Sequence, residues 1–283
     1  MAFNTQHQPK QAAALLEGDG KVSVYEATGG AVTAQFAANN LSLLDPIPPD
    51  SIVHDNCCGA GTVSRLILTS NPPHSNIKIH ATDIDQKFLD VLQADVLKNS
   101  WPIEVSNQRS EALPFRADSF THSITNIGIF FTSSAGLDGT KEIRRTLQTG
   151  GTAVVNCWET ITWLLPLKLV HEALRPGKPY PAPPLLWNDG KQIKKVMLEA
   201  GFEMEEMRVE KSEAWARTSD IRDWAEKTWA FLGGLGGWTE TDEERWDEAV
   251  DLLVEHLLAQ PGTKTVDGEV WMRASQWIVI ATK

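Results

Sequence analysis

The stretch Ile52–Leu68, IVHDNCCGAGTVSRLIL, decides the fold. A short run with β-branched residues ends at Asp55, and Gly59 and Gly61 open a run with helical spacing. Glycines let backbone N–H groups approach a ligand, and the positive end of the helix dipole favours an anionic group such as a phosphate or a carboxylate. This turn therefore predicts a ligand site, without deciding by itself between a nucleotide phosphate and a methionine carboxylate.

Strand-like and helix-like runs alternate from this stretch as far as Glu159. The strand candidates are SIVHD, IKIHATD, EVSNQ, FTHSITNIG and TAVVNCWE, and amphipathic runs such as KFLDVLQADVLK and KEIRRTLQ separate them. This alternation is typical of a sheet whose crossover helices bring each new strand parallel to the last. The sequence therefore predicts an α/β fold with a doubly wound, mostly parallel sheet.

The remainder of the chain is predicted to form caps on a single domain that spans 1–283. Helical spacing and a proline-rich stop indicate an N-terminal helical cap at 1–49, and the alternating region assigns the cofactor-binding core to 50–160. A helix with a proline-rich stretch at 161–190 and a second helical insertion at 216–265 interrupt the alternation. We interpret both insertions as substrate caps.

The charge balance favours a small-molecule partner. Lys and Arg number 26 against 37 Asp and Glu, for a net charge of −11. A field of this sign repels nucleic-acid phosphates and anionic lipid surfaces, so we expect neither nucleic acid nor membrane as a partner.

The three cysteines, Cys57, Cys58 and Cys157, have no spacing typical of a disulfide framework or a zinc site. We therefore expect no bound metal and a reducing, cytoplasmic location. The first 20 residues lack the pattern of a signal peptide, and no stretch approaches about 18 uninterrupted apolar residues. We accordingly expect neither a signal peptide nor a membrane span.

A second acidic position supports a bound nucleoside. Asp83 closes the next strand candidate, IHATD, 22 positions after Gly61. An acid at this distance suits the two hydroxyls of an adenosine ribose. The alternative is a strand-end aspartate that caps the following helix, a role that Asp85 can also fill. We favour the ribose role for Asp83.

These residues resemble the class I S-adenosylmethionine-dependent methyltransferases, in particular their UbiE-like small-molecule branch. That family carries a pattern similar to DLGCGTG, and this chain reads DNCCGAG at 55–61, with Cys57 at the first glycine. This replacement is tolerable if the backbone at Cys57 keeps a negative φ, and it narrows the space beside the methionine moiety. RSEALPF at 109–115 is similar to a family segment beside the adenine ring, although Arg109 stands where the family has an aspartate. LQTGG at 147–151 resembles the family's turn into strand five.

The resemblance implies S-adenosyl-L-methionine as cofactor and a seven-stranded Rossmann-like sheet, closed by a reversed C-terminal hairpin to which FEMEEMRV and SQWIVIATK correspond. Tyr25 adds an aromatic face for the sulfonium through cation–π attraction. The predicted cofactor-binding residues are Tyr25, Asp55, Cys57, Gly59, Gly61, Asp83, Ile84, Ser110, Glu111, Ala112, Asn126 and Ile127.

Methyl transfer from a sulfonium has an activated leaving group, so holding the acceptor in line can suffice and a general base is optional. His171 and Glu159 are the best-placed base candidates, and we assign the catalytic role to neither. Eleven tryptophans indicate well-packed caps or an aromatic substrate pocket, for which we name Phe130, Trp158 and Trp163. The implied reaction methylates an O, N or S atom of a small, partly aromatic metabolite, which suggests secondary metabolism.

Two other functions remain open from the sequence. One is a protein that binds S-adenosylmethionine without methylating, either as a regulatory module or to assist another reaction; Cys57 and Arg109 permit it. The other is an NAD-linked oxidoreductase, because Gly59 and Gly61 supply two of the three glycines of a dinucleotide turn, with Ser64 at the third position.

Overall fold

The computed structural model describes residues 7–70, 76–181 and 187–283. Ten α-helices and eight strands are defined within these ranges. The helices are α1 Lys10–Leu15, α2 Gly20–Ala27, α3 Gly29–Ser42, α4 Thr62–Ser70, α5 Gln86–Asn99, α6 Leu137–Thr146, α7 Leu164–Leu174, α8 Lys191–Glu199, α9 Ile221–Leu232 and α10 Trp246–Leu258. The strands are β1 Ile52–Asn56, β2 Lys78–Asp83, β3 Ile103–Asn107, β4 Phe120–Thr125, β5 Leu147–Ile161, β6 Met207–Thr218, β7 Thr263–Val266 and β8 Glu269–Thr282.

The strands form a single sheet in the order β3-β2-β1-β4-β5-β8-β6, with β7 paired to β8. The pairs β1–β2, β1–β4, β2–β3 and β4–β5 are all parallel. The order reverses between β1 and β4, which makes the carboxyl ends of these two strands the topological switch point where open α/β sheets bind ligands. The predicted doubly wound, Rossmann-like fold is confirmed.

The predicted strand count of seven is wrong by one short strand. Residues Thr263–Val266 form β7, which pairs antiparallel with β8. Asp267 and Gly268 connect the two strands with positive φ angles of 50° and 85°. An Asp-Gly pair favours this conformation in a two-residue hairpin, and β-branched residues on either side strengthen the signal. The Asp-Gly signal for this hairpin was therefore present in the sequence.

Contacts divide the chain into two compact units. The cofactor-core unit comprises the described residues of Thr33–Glu159, Pro184–Ser212 and Ser275–Lys283. The helical unit comprises the described residues of Met1–Val32, Thr160–Pro183 and Glu213–Ala274. The single-domain organisation with its cap boundaries stays a prediction.

The cofactor-core unit is built on aliphatic residues of the central strands. Val53, Ile79 and Ile124 are almost fully buried on β1, β2 and β4, and they belong to one cluster with Ile67 of α4 and Leu92 of α5. Helix α5 begins at Asp85, whose side chain accepts a hydrogen bond from the Lys87 backbone N–H. Asp85 is therefore the N-cap of α5, the role that was the alternative to ribose binding for Asp83.

The helical unit is organised by a buried ion pair. Arg175 and Asp242 are both nearly inaccessible to solvent and approach to 3.0 Å. The guanidinium lies 5.2 Å and 5.1 Å from the ring centroids of Trp229 and Trp238, and it also donates to the Gly233 carbonyl. These tryptophans pack the helices of this unit, as the simpler interpretation of the tryptophan-rich insertions predicted.

Parts of three predicted segments lie outside the described residues: the first six positions of the N-terminal stretch, 71–75 of the predicted core at 50–160, and 182–186 of the proline-rich insertion. None of the helices among residues 7–70, 76–181 and 187–283 is both long enough and apolar enough to cross a membrane.

Candidate cofactor site

The Cys57–Gly61 turn connects β1 to α4 with three residues in left-handed backbone conformations. The φ angles are 55° at Cys57, 54° at Gly59 and 83° at Gly61. The condition of a negative φ at Cys57 is therefore not met, because the turn needs the conformation that the missing glycine would adopt freely. A left-handed residue with a Cβ costs about 1–2 kcal/mol. A Cβ at Gly61 would lie 2.4 Å from Leu92 of α5, so this glycine is needed for space as well.

Cys57 is accommodated by a glycine in the turn that follows the neighbouring strand β4. Gly128 follows β4 in an ordinary helical conformation, with φ −114° and ψ −31°. A Cβ placed on it would lie 2.4 Å from the Cβ of Cys57 and 2.9 Å from its Sγ. Burial raises the pKa of the Cys57 thiol, so this contact is between uncharged groups. Gly128 is thus required for the side chain at position 57 rather than for its own backbone.

The Asp83 carboxylate holds the glycine turn from the β2 side. Its Oδ2 accepts the Gly59 backbone N–H at 2.9 Å, and its Oδ1 accepts the Asp85 backbone N–H at 2.8 Å. A carboxylate has about four acceptor positions, so two of them are left after these bonds. Burial raises the pKa of Asp83. Ile84, the next residue, has 56% of its surface exposed and adds an apolar face at the same strand end.

Asp55 lies beneath the turn and is engaged by the following helix. Its Oδ2 accepts bonds from the backbone N–H of Ser64 at 3.0 Å and from the Ser64 hydroxyl at 2.6 Å. Burial raises the pKa of Asp55 to about 7, against 3.8 for an unburied aspartic acid. Ser64 stands where a dinucleotide-binding turn has its third glycine. Here its backbone N–H and hydroxyl both donate to Asp55.

The 110–112 segment packs beside the same turn. The Ser110 hydroxyl accepts a hydrogen bond from Asn56 Nδ2 at 2.9 Å, which ties this segment to the end of β1. Glu111 accepts the Ser133 backbone N–H at 2.9 Å and lies 3.3 Å from the Arg109 guanidinium. The Ala112 N–H donates to the Arg109 carbonyl in a local turn. Arg109 therefore turns its charge towards Glu111.

Asn126 and Ile127 follow β4 and complete this edge of the sheet. Asn126 donates to the Thr33 carbonyl at 2.9 Å, and Ile127 has a φ of 57°. A left-handed β-branched residue is a conformational outlier, and such strain concentrates at functional sites. The turns after β1 and β4 are both left-handed, and their residues meet at the Cys57–Gly128 contact.

The predicted substrate residues are divided between the two units. Phe130 is buried next to Phe131, with ring centroids 4.4 Å apart, and lies 6.1 Å from Trp187. Trp158 makes an edge contact with Phe36. Both belong to the cofactor-core unit.

Three residues with other predicted roles belong to the helical unit: Tyr25 for the cofactor, Trp163 for the substrate, and His171 as a candidate base. Tyr25 contacts Phe231 at 5.6 Å between ring centroids, and Trp163 contacts Trp224 at 5.7 Å. Trp163 is buried. His171, the third, is described with the base candidates below.

Both base candidates have structural partners. The Nδ1 of His171 lies 2.9 Å from an Arg175 guanidinium nitrogen, and its Nε2 lies 2.9 Å from the Lys178 carbonyl. Since the arginine can only donate, His171 is neutral with its proton on Nε2, and burial lowers its pKa. Glu159 forms an ion pair with Lys211. Both ring nitrogens of His171 are therefore paired, and one carboxylate oxygen of Glu159 is held by Lys211.

Comparison with known proteins agrees with this geometry. Residues 53–151, which span the glycine turn, Asp83 and the end of β4, match the family model described as a methyltransferase domain. A sequence search among curated proteins found no match.

Three solved structures illustrate the shared fold. A proposed methyltransferase from Bacillus halodurans C-125 is 18% identical, with 88% of this chain and 99% of that chain covered and a TM-score of 0.57. Phosphoethanolamine N-methyltransferase 2 from Haemonchus contortus, in complex with S-adenosyl-L-methionine, is 13% identical, with 96% and 60% covered and a TM-score of 0.53. The [4+2]-cyclase SpnF is 14% identical, with 88% and 81% covered and a TM-score of 0.54.

The domain match over residues 53–151 and the sheet order agree with the predicted class: this region is similar to a methyltransferase domain, and the chain has the fold of the class I S-adenosylmethionine-dependent methyltransferases. The cofactor of this class is S-adenosyl-L-methionine.

The Cys57–Gly128 contact predicts a non-additive pair of substitutions. Gly128→Ala places a methyl group against Cys57 and should lower the free energy of unfolding by about 1–3 kcal/mol, the usual cost of overpacking. Cys57→Gly removes both obstructing atoms, so in that background Gly128→Ala should cost less than about 1 kcal/mol. Urea unfolding of the four proteins measures the cycle, and additive costs would show that the two residues do not share this space.

Asp55 predicts a pH-dependent stability. Between pH about 4 and about 7 the folded chain holds a proton on Asp55 that the unfolded chain has lost, because the pKa rises from 3.8 to about 7 on folding. The free energy of unfolding should therefore fall as pH rises through this window, by about 4 kcal/mol in total from this group. Asp55→Asn has no proton to lose and keeps an oxygen for Ser64, so its advantage over the unchanged chain should grow with pH. Urea unfolding of the ligand-free proteins at pH 4.5, 6 and 8 is the measurement, and parallel profiles would contradict this assignment.

Proposed function

We propose that this chain transfers a methyl group from S-adenosylmethionine to a small, partly aromatic acceptor, with the cofactor held at the Cys57–Gly61 turn. The observation that carries the proposal is the Asp83 carboxylate, which holds the turn through Gly59 and retains acceptor positions at the switch point of the sheet. A ribose with two adjacent hydroxyl donors complements such a carboxylate. The methyltransferase-domain match over the same residues supports this ligand over a nicotinamide cofactor.

The remaining cofactor contacts follow from the positions of the surrounding residues. Backbone N–H groups at Gly59 and Gly61, with the amino end of α4, suit the methionine carboxylate. Ile84 offers an apolar face to the adenine, and the 110–112 segment lies next to the turn through Ser110. We assign the edge of the cofactor nearest the acceptor to Asn126 and Ile127, where β4 ends. The assignments of Asp55 and Tyr25 are weaker, since Asp55 is bonded to Ser64 and Tyr25 packs on Phe231.

In the proposed reaction a lone pair of the acceptor attacks the methyl carbon in line with the sulfonium. The bond between sulfur and methyl breaks, its electrons stay on sulfur, and the products are the methylated acceptor and S-adenosylhomocysteine. Orientation supplies most of the acceleration in such a displacement. With His171 and Glu159 engaged elsewhere, we favour an acceptor that is nucleophilic without a base, such as a thiolate or an amine. The net charge of −11 disfavours a nucleic-acid acceptor.

A second candidate function is a reaction that uses the bound sulfonium without transferring its methyl group. The specific observation in its favour is the likeness of fold to a [4+2]-cyclase, together with Cys57 at a glycine position of the methyltransferase pattern. The two candidates share a cofactor and differ in whether labelled methyl groups leave it.

Calorimetry and a methyl-transfer assay separate the candidates. We expect S-adenosylhomocysteine to bind and NADH not to bind, because Ser64, bonded to Asp55, takes the place of the third glycine of a dinucleotide turn. Incubation with methyl-labelled S-adenosylmethionine and a panel of small aromatic thiols and amines should then yield a labelled product. Binding of S-adenosylhomocysteine without any labelled product would favour the second candidate. Tight NADH binding without S-adenosylhomocysteine binding would overturn both.

Asp83→Ala tests the ribose contact. We expect it to weaken S-adenosylhomocysteine binding by about 1.5–3 kcal/mol, or roughly 10- to 150-fold, because hydrogen bonds to a charged group are lost. The affinity of the unchanged chain should also fall as pH is lowered, since burial raises the pKa of Asp83 and the protonated acid accepts fewer bonds. Asp85→Asn is the matched control, because it keeps the helix cap and alters a neighbouring carboxylate. A full effect from the control and none from Asp83→Ala would place the ribose on Asp85.

A further inference from the structure

Four amide side chains form a closed hydrogen-bonded ring in the cofactor-core unit, and we call them the amide ring. Its members are Asn40 of α3, Asn126 after β4, Asn156 of β5 and Gln276 of β8. Asn126 Oδ1 accepts from Asn156 at 2.9 Å and from Asn40 at 3.4 Å, and Gln276 Nε2 donates to Asn40 Oδ1 at 3.0 Å. A bond from Asn156 to Gln276 Oε1 closes the ring.

The ring is uncharged, and three of its four members are buried, while Asn126 is partly buried. Asn156 and Gln276 are fully inaccessible to solvent, and Asn40 is nearly so. Burying amides is favourable only when their donors and acceptors are paired, and a fully paired network then admits one arrangement of its members. The ring therefore fixes the relative positions of a helix, two strands and the turn after β4 within this unit.

One bond leaves the ring for the backbone of the strained residue. The Ile127 N–H donates to Asn156 Oδ1 at 2.7 Å. Ile127 has a φ of 57°, a conformation that costs a β-branched residue free energy unless its surroundings hold it there. Without Asn156 this buried N–H would lose its partner, and the left-handed turn would lose the contact that compensates its strain.

The position of Ile127 controls the approach of β4 to the glycine turn. Gly128 follows it directly and occupies the space against Cys57 where a Cβ would lie 2.4 Å from the cysteine Cβ. A rotation at Ile127 would move Gly128 into Cys57 or away from it. The hydrogen bond that Asn156 accepts from Ile127 therefore affects the glycine turn through Ile127 and Gly128.

We propose that Asn156 is a positioning residue for the cofactor: by holding Ile127 left-handed, it keeps Gly128 and Cys57 in register and the glycine turn in its binding conformation. The inference rests on the proposed binding of the cofactor at this turn. Asn156 itself makes no contact with the turn and acts through Ile127.

The test compares Asn156→Ala with and without a glycine at position 127. Asn156→Ala should weaken S-adenosylhomocysteine binding about tenfold, the effect of one lost buried hydrogen bond, at a temperature where circular dichroism shows the variant folded. Adding Ile127→Gly should raise the affinity to that of the Ile127→Gly single variant, because glycine adopts a positive φ without support and no longer needs Asn156. Adding Ile127→Ala should not, since alanine loses the same side chain but keeps the strain. Gln148→Ala, at the start of the same strand, is the control for loss of an amide from β5.

A merely structural role would lower the unfolding temperature of Asn156→Ala and leave its affinity unchanged, and that result would overturn the proposal. Equal rescue by glycine and alanine at position 127 would also overturn it. If Asn156→Ala does not fold, Asn156→Ser, which also removes the amide group, provides the comparison with and without Ile127→Gly. Absence of rescue by glycine in that background would contradict the proposal. If the unchanged chain does not bind S-adenosylhomocysteine, the proposed function is contradicted, and this inference, which rests on it, is contradicted too.

Discussion

The contact between Cys57 and Gly128 is the constraint on which the rest of the site depends. The turns after β1 and β4 meet there with no space for another carbon atom. Two left-handed residues, Cys57 and Ile127, flank the contact and cost free energy in the isolated backbone. Asn156 holds Ile127 by accepting its N–H, and Asp83 holds the turn that contains Cys57 by accepting the N–H of Gly59. The site therefore stores strain at its centre and compensates it from the surrounding strands.

The two sides of this contact are supported by different chemistry. On the β2 side, the charged acceptor Asp83 binds the N–H of Gly59, and burial raises the pKa of that carboxyl group. On the β5 side, the support is the neutral amide ring, whose Asn156 binds the N–H of Ile127. A cofactor that offers hydroxyl donors to Asp83 would offset part of the desolvation of the carboxylate. The neutral side needs no such partner, because its polar groups satisfy one another.

The sequence predicted well those features that depend on neighbours along the chain. The alternation of strands and helices, the glycine turn and Asp83 were all read from local patterns, and the sheet order and backbone geometry agree with them. The Asp-Gly hairpin at Asp267–Gly268 was also local, and its signal was overlooked. Positive φ at Cys57 was not predicted, because the residue type argued for an ordinary conformation and the compensating Gly128 lies in the turn after β4, far from Cys57 along the chain.

The amide ring and the division into two units could not have been predicted in this way. The Asn40–Gln276 bond joins residues 236 positions apart, and a lone asparagine in a strand gives no sign of its partner. His171 looked like a candidate base because a histidine on a helix can be one. Its neighbours Arg175 and Lys178 on the chain were visible, but their orientation towards both ring nitrogens was not.

The most direct test of the central claim is a crystal structure of the chain with S-adenosylhomocysteine bound. The account predicts the methionine end of the ligand against the Cys57–Gly61 turn and both ribose hydroxyls within about 3 Å of the Asp83 carboxylate. It also predicts that Cys57 and Ile127 keep their positive φ angles in the complex. A ligand bound elsewhere, or a ribose facing an acid other than Asp83, would contradict it.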